Sequence, residues 1–377
     1  MLTETSRSEQ FPLLNQMTYL NTAAEGIPPL AVGAAYQEYF KDLQFGMDGR
    51  RAHYARHAAL RESAGRLLGL CADEIGICSC TSEAYNLVSM AIQLQSDDEV
   101  VINDLDYPAS TTPWMQPVSP ATVKIWRSRE GALRVEDLLP LLGPRTRLVC
   151  ASLVSFYNGF KVPLAAIVDA IRQHSSALFS LDVTQALGRI NFDINGVDLV
   201  ISSTHKWILG PHGGSIVGVP ACRSLEWTVP AGGWFNLKDA FGPGRFDSAP
   251  ESKPGAASFM VGMPNFGSVY AVHAAIEYIS AIGVTAIAAV ADPLVAACVE
   301  ELQKLPVDLL TPNEPDALAG ILAFRHAAAD AIHEQLRANN IHVMNEVGRI
   351  RLTFHGYNTA ADVEKFLSIL SQALASV

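Results

Sequence analysis

Several absences narrow the function before any motif is considered. The six cysteines, Cys71, Cys78, Cys80, Cys150, Cys222 and Cys298, show no metal-finger spacing, and Cys78-x-Cys80 sits in an apolar run suited to a core. Basic residues are outnumbered, 27 Lys and Arg against 38 Asp and Glu, and the formal net charge of −11 argues against nucleic acid as a partner. No apolar run reaches membrane-spanning length, Ala281–Ala297 being broken by Gly283, Asp292 and Pro293. The opening MLTETSRSEQ has neither the basic region nor the apolar core of a signal peptide, so the expected compartment is the cytoplasm, with no membrane partner. What is present is 377 residues, 49% hydrophobic and 17% charged, enough for two domains of a folded protein.

The most informative stretch runs from Ser180 to Gly214, SLDVTQALGRINFDINGVDLVISSTHKWILGPHGG. Two short apolar runs, 176–181 and 197–201, each end in polar residues, the pattern of buried parallel strands emerging at their carboxyl ends. Asp182 closes the first and His205-Lys206 follow the second. If the strands pair directly, the two tips lie ~5 Å apart, at the sheet edge where α/β proteins bind ligands. A buried Asp–Lys ion pair would explain two such residues. So would pyridoxal phosphate, which needs a lysine for its aldehyde and an acid at its pyridine nitrogen.

The surrounding order separates these alternatives. Asp-Val-Thr-Gln at 182–185, Ser-Thr-His-Lys at 203–206 and Gly-Pro-His-Gly-Gly at 210–214 resemble the cofactor segment of the class V aminotransferase family. That family includes cysteine desulfurases, selenocysteine lyases, isopenicillin N epimerase and, more distantly, kynureninase. The resemblance extends over essentially the whole chain, with further motifs near 81–86, 106–114 and 349–359. It implies a fold type I pyridoxal 5'-phosphate enzyme: a mainly parallel, seven-stranded sheet between helices, plus a small α+β carboxyl-terminal domain. The implied division is a large cofactor-binding domain at 20–265 and a small domain made of 1–19 with 266–377.

Taken in order, the chain offers one candidate after another. The loop NTAAEGIPP, irregular at Gly26 and its prolines, lies by resemblance at the site mouth and brings Asn21 and Ala24 towards the substrate carboxylate. His53 and His57 share a helix face without a third ligand, so no metal is expected and an exposed basic helix start is the expected environment. Thr81, Ser82 and Glu83 open a helix, where hydroxyls and free N–H groups suit either a cap or a phosphate. The resemblance assigns them to the phosphate cup. It also sets Tyr107 over the cofactor ring, Gln185 at its phenolic oxygen, and Ser203 and His205 at its phosphate. Lys206 is the covalent anchor and Asp182 the acid at the ring nitrogen.

The Gly/Pro-rich segment 230–265 reads as a loop reaching towards a partner subunit, and a homodimer with shared sites is expected. Within it, Met263 stands where the family has a threonine that reaches the phosphate across the dimer, leaving Trp234, Asn265, a backbone N–H or no group at all in its place. Arg351 takes the place of the carboxylate-binding arginine, whose planar fork suits that ligand. Arg349 is expected to be a surface residue on an edge strand.

Two departures bear on the reaction. Phe156 replaces an asparagine near the phenolic oxygen. The segment HAAADAIHEQLRANNIHVMNEVG, 326–348, lacks the cysteine that desulfurases carry before the arginine strand. The expectation is therefore chemistry at the α-carbon of an amino acid, a small-molecule substrate whose side chain the sequence leaves open, by a lyase or an epimerase, without a persulfide. A transaminase and a non-catalytic binding protein that keeps the fold are the alternatives. The three residues Lys206, Asp182 and Arg351 speak against the second.

Overall fold

The structure, a computed structural model, describes residues 1–314 and 316–377. Helix α1 (Glu4–Gln10) and a two-residue strand β1 (Thr18–Tyr19) precede helices α2 (Leu30–Leu43) and α3 (Arg50–Leu68). The main sheet then forms from β2 (Ile75–Cys78), β3 (Glu99–Asn103), β4 (Thr122–Trp126), β5 (Thr146–Ser152), β6 (Leu178–Asp182), β7 (Leu199–Ser203) and β8 (Ser215–Gly218). Their order is β2-β8-β7-β6-β5-β3-β4, and only β8 runs against the rest. This is the expected seven-stranded, mainly parallel sheet.

Its inner strands are apolar on both faces because helices cover both. Helices α4 (Thr81–Ile92) and α5 (Pro108–Met115) lie over one face, with α6 (Val135–Leu138), α7 (Leu164–His174), α3 and α8 (Phe266–Ile282) over the other. The period-2 alternation of a strand divides neighbours between the two cores. Val100 and Ile102 enter one while Val101 enters the other; Leu148 and Cys150 oppose Val149 and Ala151 in the same way.

Helix α8 packs along α2 and α3 and leads into α9 (Val284–Leu302). The second sheet uses β9 (Asp308–Leu309) and β10 (Ile321–Arg325), then, past α10 (Ala329–Ala338) and β11 (Ile341–His342), β12 (Met344–Glu346) and β13 (Arg349–Thr353). It is antiparallel in the order β12-β13-β10-β9, while β11 pairs with β1. Helix α11 (Ala360–Ala375) opens with a Thr359–Asp362 capping box and closes a core of Leu322, Phe324, Ile350, Leu352 and Phe366.

Two expectations are corrected here. Strand β13 has a neighbour on each side, so Arg349 is buried at 2% exposure instead of standing on an edge. His53 and His57 are likewise buried, because α8 and the 230–265 segment close over α3. His53 stacks on Phe266 and meets the Tyr270 hydroxyl at 3.1 Å; His57 lies edge-on to Phe235, and burial lowers its pKa to about 4. Among the described residues, no cluster of three His, Cys, Asp or Glu could hold a metal. No single helix among them is long and apolar enough to cross a membrane, and α8 and α9 together bend by 76°.

Candidate active site

The register of the central strands assembles the site. β6 and β7 pair in parallel with Asp182 beside Ile201, so Asp182 and Ser203 both end at the carboxyl edge. Lys206 follows three residues later, in a turn held by the Thr204 hydroxyl, which donates to the carbonyls of Pro211 and Gly214. The 22–26 loop closes over this turn: the Gly26 N–H donates to the His205 carbonyl at 2.8 Å. A Cβ at residue 26 would lie 2.1 Å from the Lys206 carbonyl oxygen, so only glycine permits this approach.

A cavity of about 400 Å³ opens there, and Thr81, Ser82, Tyr107, Asp182, Gln185, Ser203, His205, Lys206, Arg351 and Ala24 all line it. Lys206 Nζ lies 5.3 Å from the centre of the Tyr107 ring, which meets Phe156 edge-on at 5.0 Å. Burial, and then the charge of Arg351, lower the Lys206 pKa to about 8, with Asp182 opposing. Burial raises the Asp182 pKa, although Oδ1 accepts from the Thr184 N–H at 2.8 Å and Oδ2 from the Tyr85 hydroxyl at 3.4 Å. Arg351 donates through Nη1 to the Phe156 carbonyl at 2.7 Å, and burial, then Arg349, lower its pKa to about 10. Burial, Lys206 and His212 take His205 down to about 4, a neutral ring stacked on His212 at 4.0 Å.

Gln185 is committed on both sides, accepting from Trp207 Nε1 at 2.7 Å and donating to the Ala23 carbonyl at 3.1 Å. One amide hydrogen is left over. Ser203 Oγ and Arg351 Nε are buried without a protein partner. Such orphaned groups demand a ligand or water.

Not every sequence candidate arrives. Glu83 turns away, its Oε2 accepting from the Ser79 N–H at 2.6 Å, and lines a neighbouring cavity of about 220 Å³ with Met263 and Asn265. Asn265 caps α8, accepting from the Ser268 N–H at 3.2 Å. Trp234 packs on Phe235 and Phe241, away from the lysine cavity. Asn21 does not line that cavity either, although its Oδ1 is buried and unpartnered.

Sequence reasoning in turn missed Tyr85, Thr184 and Ser152 around Asp182, and Met344 and Glu346 beside Arg351. It also missed Asp106, a half-buried carboxyl whose pKa desolvation raises to about 7, and which accepts from the Ser152 N–H at 2.8 Å. Tyr85 and Thr184 lie inside quoted motifs and could have been taken from them. Glu346 carried no local signal.

The residues present fit pyridoxal phosphate. Unpartnered Ser203 Oγ, the Thr81 and Ser82 hydroxyls and the α4 amino end suit a phosphate, while Asp182 suits a protonated ring nitrogen. Lys206, a half-buried amine lining the same cavity, suits an aldehyde.

Comparison with known proteins agrees. Residues 18–366 match the sequence profile of the family described as aminotransferase class V. A protein of Bacillus subtilis (strain 168) named an uncharacterized aminotransferase is 26% identical over 357 residues, 94% of this chain and 93% of its own length. A probable cysteine desulfurase of Pasteurella multocida (strain Pm70) is 28% identical over 398 residues, covering 97% and 92%. In fold, the cysteine desulfurase of Thermococcus onnurineus NA1 superposes with a TM-score of 0.88 at 22% identity, over 100% of this chain and 99% of that one. The chain belongs to the class V aminotransferase family, with the type I fold and pyridoxal 5'-phosphate as its cofactor.

Proposed function

We propose that the enzyme acts at the α-carbon of an amino acid, as a lyase or an epimerase, without a protein persulfide. The observation that carries this reading is that Lys206, Asp182 and Arg351 line one cavity. Bound pyridoxal phosphate supplies an electron sink for negative charge at the α-carbon. The chain's residues do the rest. Ser203, Thr81 and Ser82 hold the phosphate with their hydroxyls, and neutral His205 adds one N–H. Asp182, braced by Thr184 and Tyr85, keeps a proton at the ring nitrogen. Tyr107 covers the ring face, and the spare amide hydrogen of Gln185 serves the phenolic oxygen. Arg351 fixes the substrate carboxylate in position and rotation, and Lys206 Nζ accepts and returns the α-proton.

The cysteines support the absence of a persulfide. Cys78, Cys150 and Cys298 are buried, Cys71, Cys80 and Cys222 are exposed, and none lines the lysine cavity. The name of the Bacillus subtilis relative favours transamination as a second reading. An amino-acid screen of the purified protein separates the outcomes. Keto acid with ammonia indicates elimination, an inverted α-centre epimerisation, and an aminated cofactor restored by keto acid transamination. A cofactor-loaded protein that turns over none of the amino acids leaves a binding protein and ends this reading.

We further propose a cytoplasmic homodimer with shared sites, in which 20–265 forms the large domain and 1–19 with 266–377 the small one. Six free thiols suit a reducing compartment. Exposed apolar side chains on and after α2, among them Leu30, Phe40, Leu43, Phe45 and Met47, suit a second copy. Trp234 and Asn265, which miss the cavity of their own chain, would then serve the partner's. Sedimentation showing a fully active monomer at nanomolar concentration would contradict the shared site.

A further inference from the structure

Arg351 and Lys206 answer to the two groups that every α-amino acid shares, and leave the side chain undefined. The adjoining wall defines it. Met344 and Glu346 line the same cavity, and the register of β12 on β13 sets Met344 opposite Arg351 and Glu346 opposite Arg349. Residues two apart on a strand share a face, so Glu346, Arg349 and Arg351 look the same way. Glu346 Oε2 accepts from Arg349 Nη2 at 2.7 Å, and Arg349 Nη1 donates to the Tyr157 carbonyl at 2.7 Å. Arg349 is buried and does not line the cavity; it holds the carboxylate from behind. The Glu346 side chain is 58% exposed, and its Oε1 meets no donor among the described residues.

Asp182, the other carboxylate of the cavity, has both oxygens engaged by Thr184 and Tyr85. With Arg351 on the substrate carboxylate and Lys206 on the cofactor, Glu346 is the charge left for the side chain. We propose that Glu346 selects the substrate, an amino acid whose side chain ends in a protonated amine or guanidine; this rests on the α-carbon reading above. A carboxylate already oriented by Arg349 loses little freedom when it binds a cation. A neutral side chain would strip water from it without replacing the bond, and an anionic one would meet like charge. Solvent exposure and the Arg349 charge keep the preference moderate, about tenfold in affinity.

The test titrates the holoenzyme with L-ornithine, L-arginine, L-norleucine and L-glutamate, following the cofactor absorbance. Norleucine replaces the terminal ammonium of ornithine by a methyl. Ornithine or arginine is expected to bind about tenfold tighter than norleucine, with glutamate weakest, and Glu346→Gln to bring the ratio close to one. The wild-type ratio is decisive even if the variant fails to fold. If neither cation exceeds norleucine, or if the preference survives in a folded Glu346→Gln, the Glu346 assignment falls and the α-carbon reading stands. If none of the amino acids of the wider screen perturbs the spectrum, the α-carbon reading falls and takes this assignment with it.

Discussion

Arg349 and Arg351 stand two residues apart on β13 and donate to consecutive carbonyls of one turn, Tyr157 and Phe156, each at 2.7 Å. Both are buried, yet their duties differ: Arg351 lines the cavity and Arg349 braces Glu346. Arg351→Ala is expected to retain the cofactor spectrum and to lose ~2–4 kcal/mol of transition-state binding, about 30- to 1,000-fold in kcat/KM. Arg349→Ala leaves the Tyr157 carbonyl without its donor, while water replaces Arg349 at the exposed Glu346 carboxylate, so its main effect is a loss of about 1–2 kcal/mol in stability, with a smaller loss of turnover. Steady-state kinetics and urea melts of the two variants check this. An Arg351→Ala enzyme within about threefold of wild type would remove the carboxylate role.

Lys206 is expected to carry the cofactor. Borohydride reduction followed by peptide mapping should find the label on Lys206, and Lys206→Ala should bind pyridoxal phosphate without a covalent link. A label on any other lysine sinks the assignment.

Cofactor capture should depend on pH in a defined direction. The cofactor-free chain has its Lys206 pKa lowered to about 8, and only the neutral amine attacks an aldehyde. The capture rate should therefore rise with pH, with a midpoint about 8 in place of the ordinary lysine value. Arg351→Gln removes one cause of the lowering and should move the midpoint upward, by less than the full shift because burial is the larger cause. Stopped-flow absorbance between pH 6.5 and pH 10 measures both. A wild-type midpoint near the ordinary lysine value would show that the site does not perturb the amine.

Removal of the cysteines should leave activity of the same order. The buried Cys78, Cys150 and Cys298 are changed to Ala, which keeps those positions apolar, and the exposed Cys71, Cys80 and Cys222 to Ser. If one proves essential and carries sulfane sulfur after incubation with cysteine, the enzyme is a desulfurase.

Much of this architecture was legible in the sequence. The runs that became β3, β6 and β7 were readable because strands covered on both faces have no polar side to interrupt them. Asp182 and Lys206 were readable because each follows such a run, and a parallel pair must bring its carboxyl ends to one edge. The motifs at 81–82, 107, 185, 203–206 and 351 led to the residues that line the cavity.

What the sequence left open depended on contacts distant along the chain. Arg349 looks like a surface residue in isolation, and its burial follows from strands on both sides and a turn 192 residues away. His53 and His57 look like an exposed basic face until α8, about 210 residues later, closes over the first and Phe235 over the second. Glu346 reached the cavity through the antiparallel register of β12 on β13, and Trp234 and Asn265 missed it because their loop packs elsewhere. Local pattern specifies which faces are apolar; only the packing of remote segments decides which polar side chains are sealed in and which face the cavity.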